Sequence, residues 1–148
     1  MSADTPAIDS HNDGPSIRLL DVEMPGEAAA VSAVSDTVAD TLMRLDCPEE
    51  KRLEIVLAVQ EALANAAVHG CKNDSSKLVR CRVEHYPSGR ILIIVKDPGE
   101  GFLPEEVSDP KASENLERSH GRGVFLIRQL MDEVHFGGNG SEVRMWKY

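Results

Sequence analysis

Glu61, Asn65 and His69 interrupt an otherwise apolar stretch at i, i+4 and i+8. On a helix that spacing stacks three polar side chains along one face. An acid and an amide one turn apart can serve a metal-phosphate site, the glutamate accepting a proton and the amide oxygen donating to Mg²⁺. The same stripe would also suit a solvent-facing surface with Asn-Glu hydrogen bonding. A second candidate is Asp97-Pro98-Gly99-Glu100-Gly101-Phe102, a carboxylate followed by two glycines that let a ligand approach the backbone. Asp97 can accept from an exocyclic amine such as adenine offers, although a plain Asx turn uses the same residues. The third is Gly121-Arg122-Gly123, which at a helix N-terminus turns backbone N–H groups and the positive dipole end toward an anion. It could equally be a lid hinge. It lacks the third glycine and preceding strand of a dinucleotide fingerprint, and the Gly-Lys-Ser/Thr of a Walker A loop.

These residues need elements to hold them. Val31, Val34, Val38, Leu42 and Leu45 recur at steps of three and four and predict an amphipathic helix. A second helix is expected from Pro48 to Gly70: proline suits a first turn, and Glu49 and Glu50 favour the positive end of the dipole. Strands are expected at Ser16 to Met24, Leu78 to Tyr86 and Arg90 to Lys96. In the second of these, Val79, Cys81 and Val83 face one way and Arg80, Arg82 and Glu84 the other. The third carries the run Ile-Leu-Ile-Ile-Val of a strand buried on both faces. Leu103 to Ser119 is polar and broken by Pro104 and Pro110, a length of loop that is usually functional. Helical spacing resumes from Gly123 to Val134. A hairpin about Asn139-Gly140 joins Val134 to Phe136 with Glu142 to Tyr148. That order predicts a two-layer α/β sandwich, a mixed and mostly antiparallel sheet with its helices on one face.

The chain has 148 residues, enough for one domain with a real core. Its 16 Lys and Arg against 25 Asp and Glu give a formal charge of −9, which disfavours nucleic-acid binding through a basic face. The longest aliphatic run, Ile91 to Val95, is far short of the roughly 20 residues that span a bilayer, so no membrane helix is expected. Met1 to Pro15 has neither Lys nor Arg nor an apolar core, which is not the pattern of a secretory signal. Residues 1–15 therefore read as a flexible tail, 16–148 as the domain, and the cytoplasm as the compartment. Cys47, Cys71 and Cys81 form no Cys-x-x-Cys pair and read as packing residues.

Taken together and in order, Glu61-Ala-Leu-Ala-Asn65-Ala-Ala-Val-His69-Gly70, Asp97-Pro-Gly99-Glu-Gly101-Phe102 and Gly121-Arg-Gly123-Val-Phe-Leu-Ile resemble the three nucleotide boxes of the GHKL (histidine-kinase-like ATPase) superfamily. Within it the chain looks most like the small anti-sigma factor serine/threonine kinases. The resemblance runs from about Ser16 to Tyr148 and implies the Bergerat ATP-binding fold, with ATP and Mg²⁺ as cofactors. It implies Glu61 as the general base acting on a serine of a partner protein, and Asn65 as the Mg²⁺ ligand. It implies Asp97 on the adenine amino group, Gly99 and Gly101 as room for the base, and Gly121 and Gly123 along the phosphates under a lid formed by Leu103 to Ser119. Arg118 and Arg122 would be within reach of the terminal phosphate. His120 and Arg122 stand where better-known members carry smaller or apolar residues. The implied function is phosphorylation of an anti-sigma factor antagonist and binding of a sigma factor in a partner-switching system. The alternative is a non-catalytic, nucleotide-gated binding module. Related kinases suggest a homodimer.

Overall fold

The computed structural model describes residues 14–99, 119–138 and 141–148. Strand β1 (Ile17–Pro25) leads through a short 3₁₀ turn, Ala28–Ala30, into helix α1 (Val31–Arg44), followed by α2 (Glu49–Asn65). Pro48 caps α2 with φ −54° and the two glutamates after it occupy its first turn, as the dipole argument requires. The chain then continues not as α-helix but as a π turn, Ala66–Gly70, in which Cys71 N–H reaches back five residues to the Ala66 carbonyl at 2.8 Å. Strands β2 (Leu78–His85) and β3 (Ile91–Lys96) form a hairpin. Helix α3 (Ser119–Leu130), β4 (Glu133–Gly137) and β5 (Glu142–Lys147) complete the described chain.

The strand order is β1-β2-β3-β5-β4, and all four pairings are antiparallel. The apolar run takes the central position, and Ile91 through Val95 are all buried. One core joins Val38 and Leu42 of α1, Ile55, Val59 and Leu63 of α2, and Ile127 of α3 to Val83, Ile93 and Met145 of the sheet. The alternate residues of the same strands gather separately as Tyr86, Leu92, Ile94 and Trp146, so the helices stand on one face as expected. That second face is drier than the alternation of β2 implies. Arg82 is 5% exposed and Glu84 1%. They pair at 2.6 Å and Ser16 Oγ donates to Glu84 at 2.7 Å, so the charges are matched rather than solvated.

Two boundaries differ from the sequence reading. The last helix begins at Ser119, which puts Gly121 and Gly123 inside its first turns rather than ahead of it, and it ends at Leu130. Asp132, expected within this helix, instead donates its N–H to the Trp146 carbonyl beside the new strand. The Asn139-Gly140 tip lies outside the described residues, but Gly138 at φ 55° and the Ser141 N–H bond to its carbonyl at 3.2 Å carry the flanks of that turn. All three cysteines are buried and reduced; burial pushes Cys81 up to about 12. Among the described residues no helix is long and apolar enough to cross a membrane.

Candidate functional site

Two places on the helix running from Glu49 to Gly70 bring the three sequence motifs together. The first is where α3 crosses it. Gly123 is buried against α2, and a methyl group built there would stand 3.0 Å from Asn65 Nδ2, 3.1 Å from Glu61 Oε2 and 3.2 Å from Asn65 Oδ1. Any larger residue at 123 would push into the polar pair. The glycine therefore lets α3 seat its early turns against an acid and an amide that are both half-buried. Farther along, Lys147 Nζ donates to the Leu130 carbonyl at 2.5 Å and pairs with Glu54 at 3.3 Å. The late end of α3 thus lies by the early part of α2, and the two helices run antiparallel.

The second meeting point is the π turn. Asp97 leaves the end of β3 with its N–H on the Ser141 carbonyl at 2.9 Å, which aims its side chain back toward Gly70. A β-carbon on Gly70 would overlap the Asp97 carboxylate, and one on Gly99 would stand 2.9 Å from the Gly70 α-carbon. Gly99 N–H donates to Asp97 Oδ1 at 2.7 Å. The Asx turn considered from sequence is therefore present, and it uses one carboxylate oxygen. Partial burial raises the Asp97 pKa despite that bond. A carboxylate held against bare backbone and short of solvent is an acceptor suited to a donor from a ligand.

Not every expected residue joins these places. The i, i+4, i+8 face ends at Asn65, because the π turn adds a residue to the next loop of helix and changes the direction of whatever follows. His69 lies at the exposed end of it, and the desolvation it does undergo lowers its pKa. Gly121 and Arg122 lie in α3, of which only the backbone is described at those positions. Gly101, Arg118 and the polar segment 103–118 are outside the described residues. The sequence marks Gly70 as a helix end and as the close of the first motif, with no role of its own. Its place directly after the polar stripe was the available signal, but the close approach of Asp97 is a tertiary fact.

Residues 24–147 match the family model described as a histidine kinase-like ATPase domain. Serine-protein kinase RsbW of Staphylococcus epidermidis is 30% identical over 137 residues, covering 87% of this chain and 86% of that protein. RsbW of Staphylococcus aureus strain MSSA476 is 27% identical with the same coverage. Among solved structures, the histidine kinase domain of the blue-light activated histidine kinase EL346 from Erythrobacter litoralis superposes with a TM-score of 0.50 at 20% identity, over 83% of this chain and 60% of that one. That likeness concerns the fold.

Proposed function

The chain belongs to the histidine kinase-like ATPase family, and from that premise we propose that it is an ATP-dependent protein serine/threonine kinase that phosphorylates an anti-sigma factor antagonist and binds a sigma factor. The observation that carries the reading is the approach of Gly123 to Glu61 and Asn65, which seats the early turns of a helix, with their backbone donors, beside an acid and an amide. Phosphoryl transfer asks a protein mainly for positioning and charge stabilisation. A base, a helix start and one or two metal ligands supply both.

In this reading Asp97 accepts from the adenine amino group beside Gly99 and Gly101. The phosphates lie toward Gly121, Arg122 and Gly123, where the helix dipole favours negative charge. Gly70 lies a full π turn beyond Asn65, so the two places are set apart along one helix and suit an elongated ligand. Mg²⁺ fits the donors. Among the described residues no three His, Cys, Asp or Glu gather as a cage, and this ion is ordinarily held by one or two protein oxygens plus waters and phosphates. Asn65 would hold it, and the bound ion would neutralise charge on the phosphates. Glu61 takes the proton of the acceptor hydroxyl as that oxygen bonds the γ-phosphorus. The bond from the γ-phosphorus to the bridging oxygen breaks and ADP leaves.

Glu61→Gln keeps shape and hydrogen bonding but cannot take a proton. Single-turnover transfer to the antagonist should fall about 10² to 10⁴-fold, the usual worth of a positioned base, while ATP affinity stays. Unchanged transfer would remove Glu61 as the base; an antagonist that binds but is never phosphorylated by the wild type would favour the nucleotide-gated binding module.

A further inference from the structure

Helix α2 leaves apolar side chains in solvent one and two turns before Glu61. Leu53 is 52% exposed and Leu57 47%, and with Glu61 they make an i, i+4, i+8 line on one face of the helix. Leu126 of α3 is 38% exposed. It lies three residues beyond Gly123, which touches Glu61, and four before Leu130, which is tied through Lys147 to Glu54. Antiparallel packing therefore sets Leu126 level with the Leu57 to Glu61 turn. The core does not need these leucines, since α2 packs through Ile55, Val59 and Leu63, and α1 meets α2 on another side, where Gln60 Nε2 donates to Ser35 Oγ.

We propose that the ridge of Leu53, Leu57 and Leu126 is the docking surface for the protein whose hydroxyl Glu61 deprotonates. This rests on the kinase reading above and names where the acceptor protein sits. An acceptor that brings a side-chain oxygen to Glu61 has to cover the next turn of the same helix, and that turn offers exposed leucine. The surroundings state the chemistry of the partner. Glu49 and Glu50 open the same helix, whereas its Lys51 and Arg52 donate to the Gly89 and Cys47 carbonyls and Glu54 is paired with Lys147, so the matching face is an apolar centre with Lys or Arg at the edge that meets Glu49, Glu50 and Glu61. Buried apolar anchors within a charged border are the usual source of both affinity and choice of partner.

The test uses the full chain and, as probe, a purified anti-sigma factor antagonist that the wild type binds. Leu53→Ser with Leu57→Ser should weaken its binding in calorimetry by at least about tenfold, on the scale of interface anchors. KM for the antagonist should rise in step, with kcat at saturation and ATP affinity unchanged. Leu78→Ser, at an exposed leucine of β2, should change none of these and controls for surface polarity alone. Glu50→Lys should weaken binding further at low salt than at high salt. Equal affinity of wild type and the double variant overturns the docking site whether or not phosphate is transferred. Loss of affinity in a pair that never transfers phosphate upholds the docking site while removing the kinase reading. A wild type that binds no such antagonist overturns the proposal, and so does a change of the double variant from dimer to monomer in sedimentation with antagonist binding intact, which assigns the ridge to a second copy of this chain.

Discussion

Asp97 carries a cost that its proposed task would explain. Partial burial raises its pKa above the ordinary carboxylate value, so the charged form is disfavoured in the folded protein relative to the unfolded chain. The penalty is fully present above the folded pKa and is relieved as pH falls through it toward the unfolded value. Asp97→Asn keeps an oxygen for the Gly99 N–H and removes the penalty. The free protein should therefore melt higher at pH 7, with the gain fading as pH approaches about 4. Nucleotide binding should change in the opposite sense, because an amide can present a donor where the adenine amino group needs an acceptor. In the wild type, ATP affinity should fall as acid protonates Asp97, and at a higher pH than an ordinary aspartate would give. Calorimetry and thermal melts across pH 4 to 8 check both; a destabilised Asp97→Asn variant with unchanged affinity would dissociate this carboxylate from the base.

The π turn after Asn65 is the local feature on which the two meeting points depend. It comes after Ala62, Leu63 and Ala64 and itself opens with Ala66 and Ala67, all good helix formers, so propensity alone would have continued the α-helix. The extra residue in the turn lets Gly70 come under Asp97 while Asn65 stays under Gly123. Gly70→Ala should test this. Its methyl would displace the carboxylate, and overpacking of this kind costs about 1 to 3 kcal/mol. Both the melting temperature and ATP affinity should drop. Gly89→Ala offers a contrast: nothing lies near its side-chain position, but its φ of +99° strains any other residue. That variant should lose stability without losing nucleotide affinity.

The sheet separates the molecule into two faces with different work. The helices, the polar pair and Asp97 belong to one side or its rim. On the other, Arg82 and Glu84 are buried as an ion pair, and Arg90 lies over the rings of Tyr86, Trp146 and Tyr148 at 4.9, 4.9 and 5.5 Å. Removing one member of a buried pair strands the other charge and costs about 3 to 5 kcal/mol, whereas replacing both with apolar residues is often neutral. Arg82→Met leaves Glu84 only Ser16 and, at 3.9 Å, Arg18; it should lower the urea midpoint, and Arg82→Met with Glu84→Leu should recover part of the loss. Per remaining folded molecule, ATP affinity should be untouched in both. A loss of affinity in the double variant would mean that the two faces are coupled.

Much of this architecture was legible from local pattern. The period of Val31 to Leu45 and the aliphatic run at Ile91 to Val95 mark a helix and a central strand, because burial imposes one period on helices and saturates a strand covered on both sides. The order of the three motifs was legible too, and so was the family, since backbone-hugging glycines and an acid one turn from an amide leave a fixed spacing. Other features depended on neighbours distant in sequence. No local rule makes Ala66 to Gly70 a π turn. None buries Arg82 and Glu84 on a strand face that alternation assigns to water, or begins the last helix before its glycines. The π turn and the helix start were decided when β3 carried Asp97 to Gly70 and α3 was laid across Glu61 and Asn65, and the burial of Arg82 and Glu84 on the other face came with their own pairing and the Ser16 hydroxyl. A glycine's worth at such a crossing lies in the atoms that press against it, and those come from other parts of the chain.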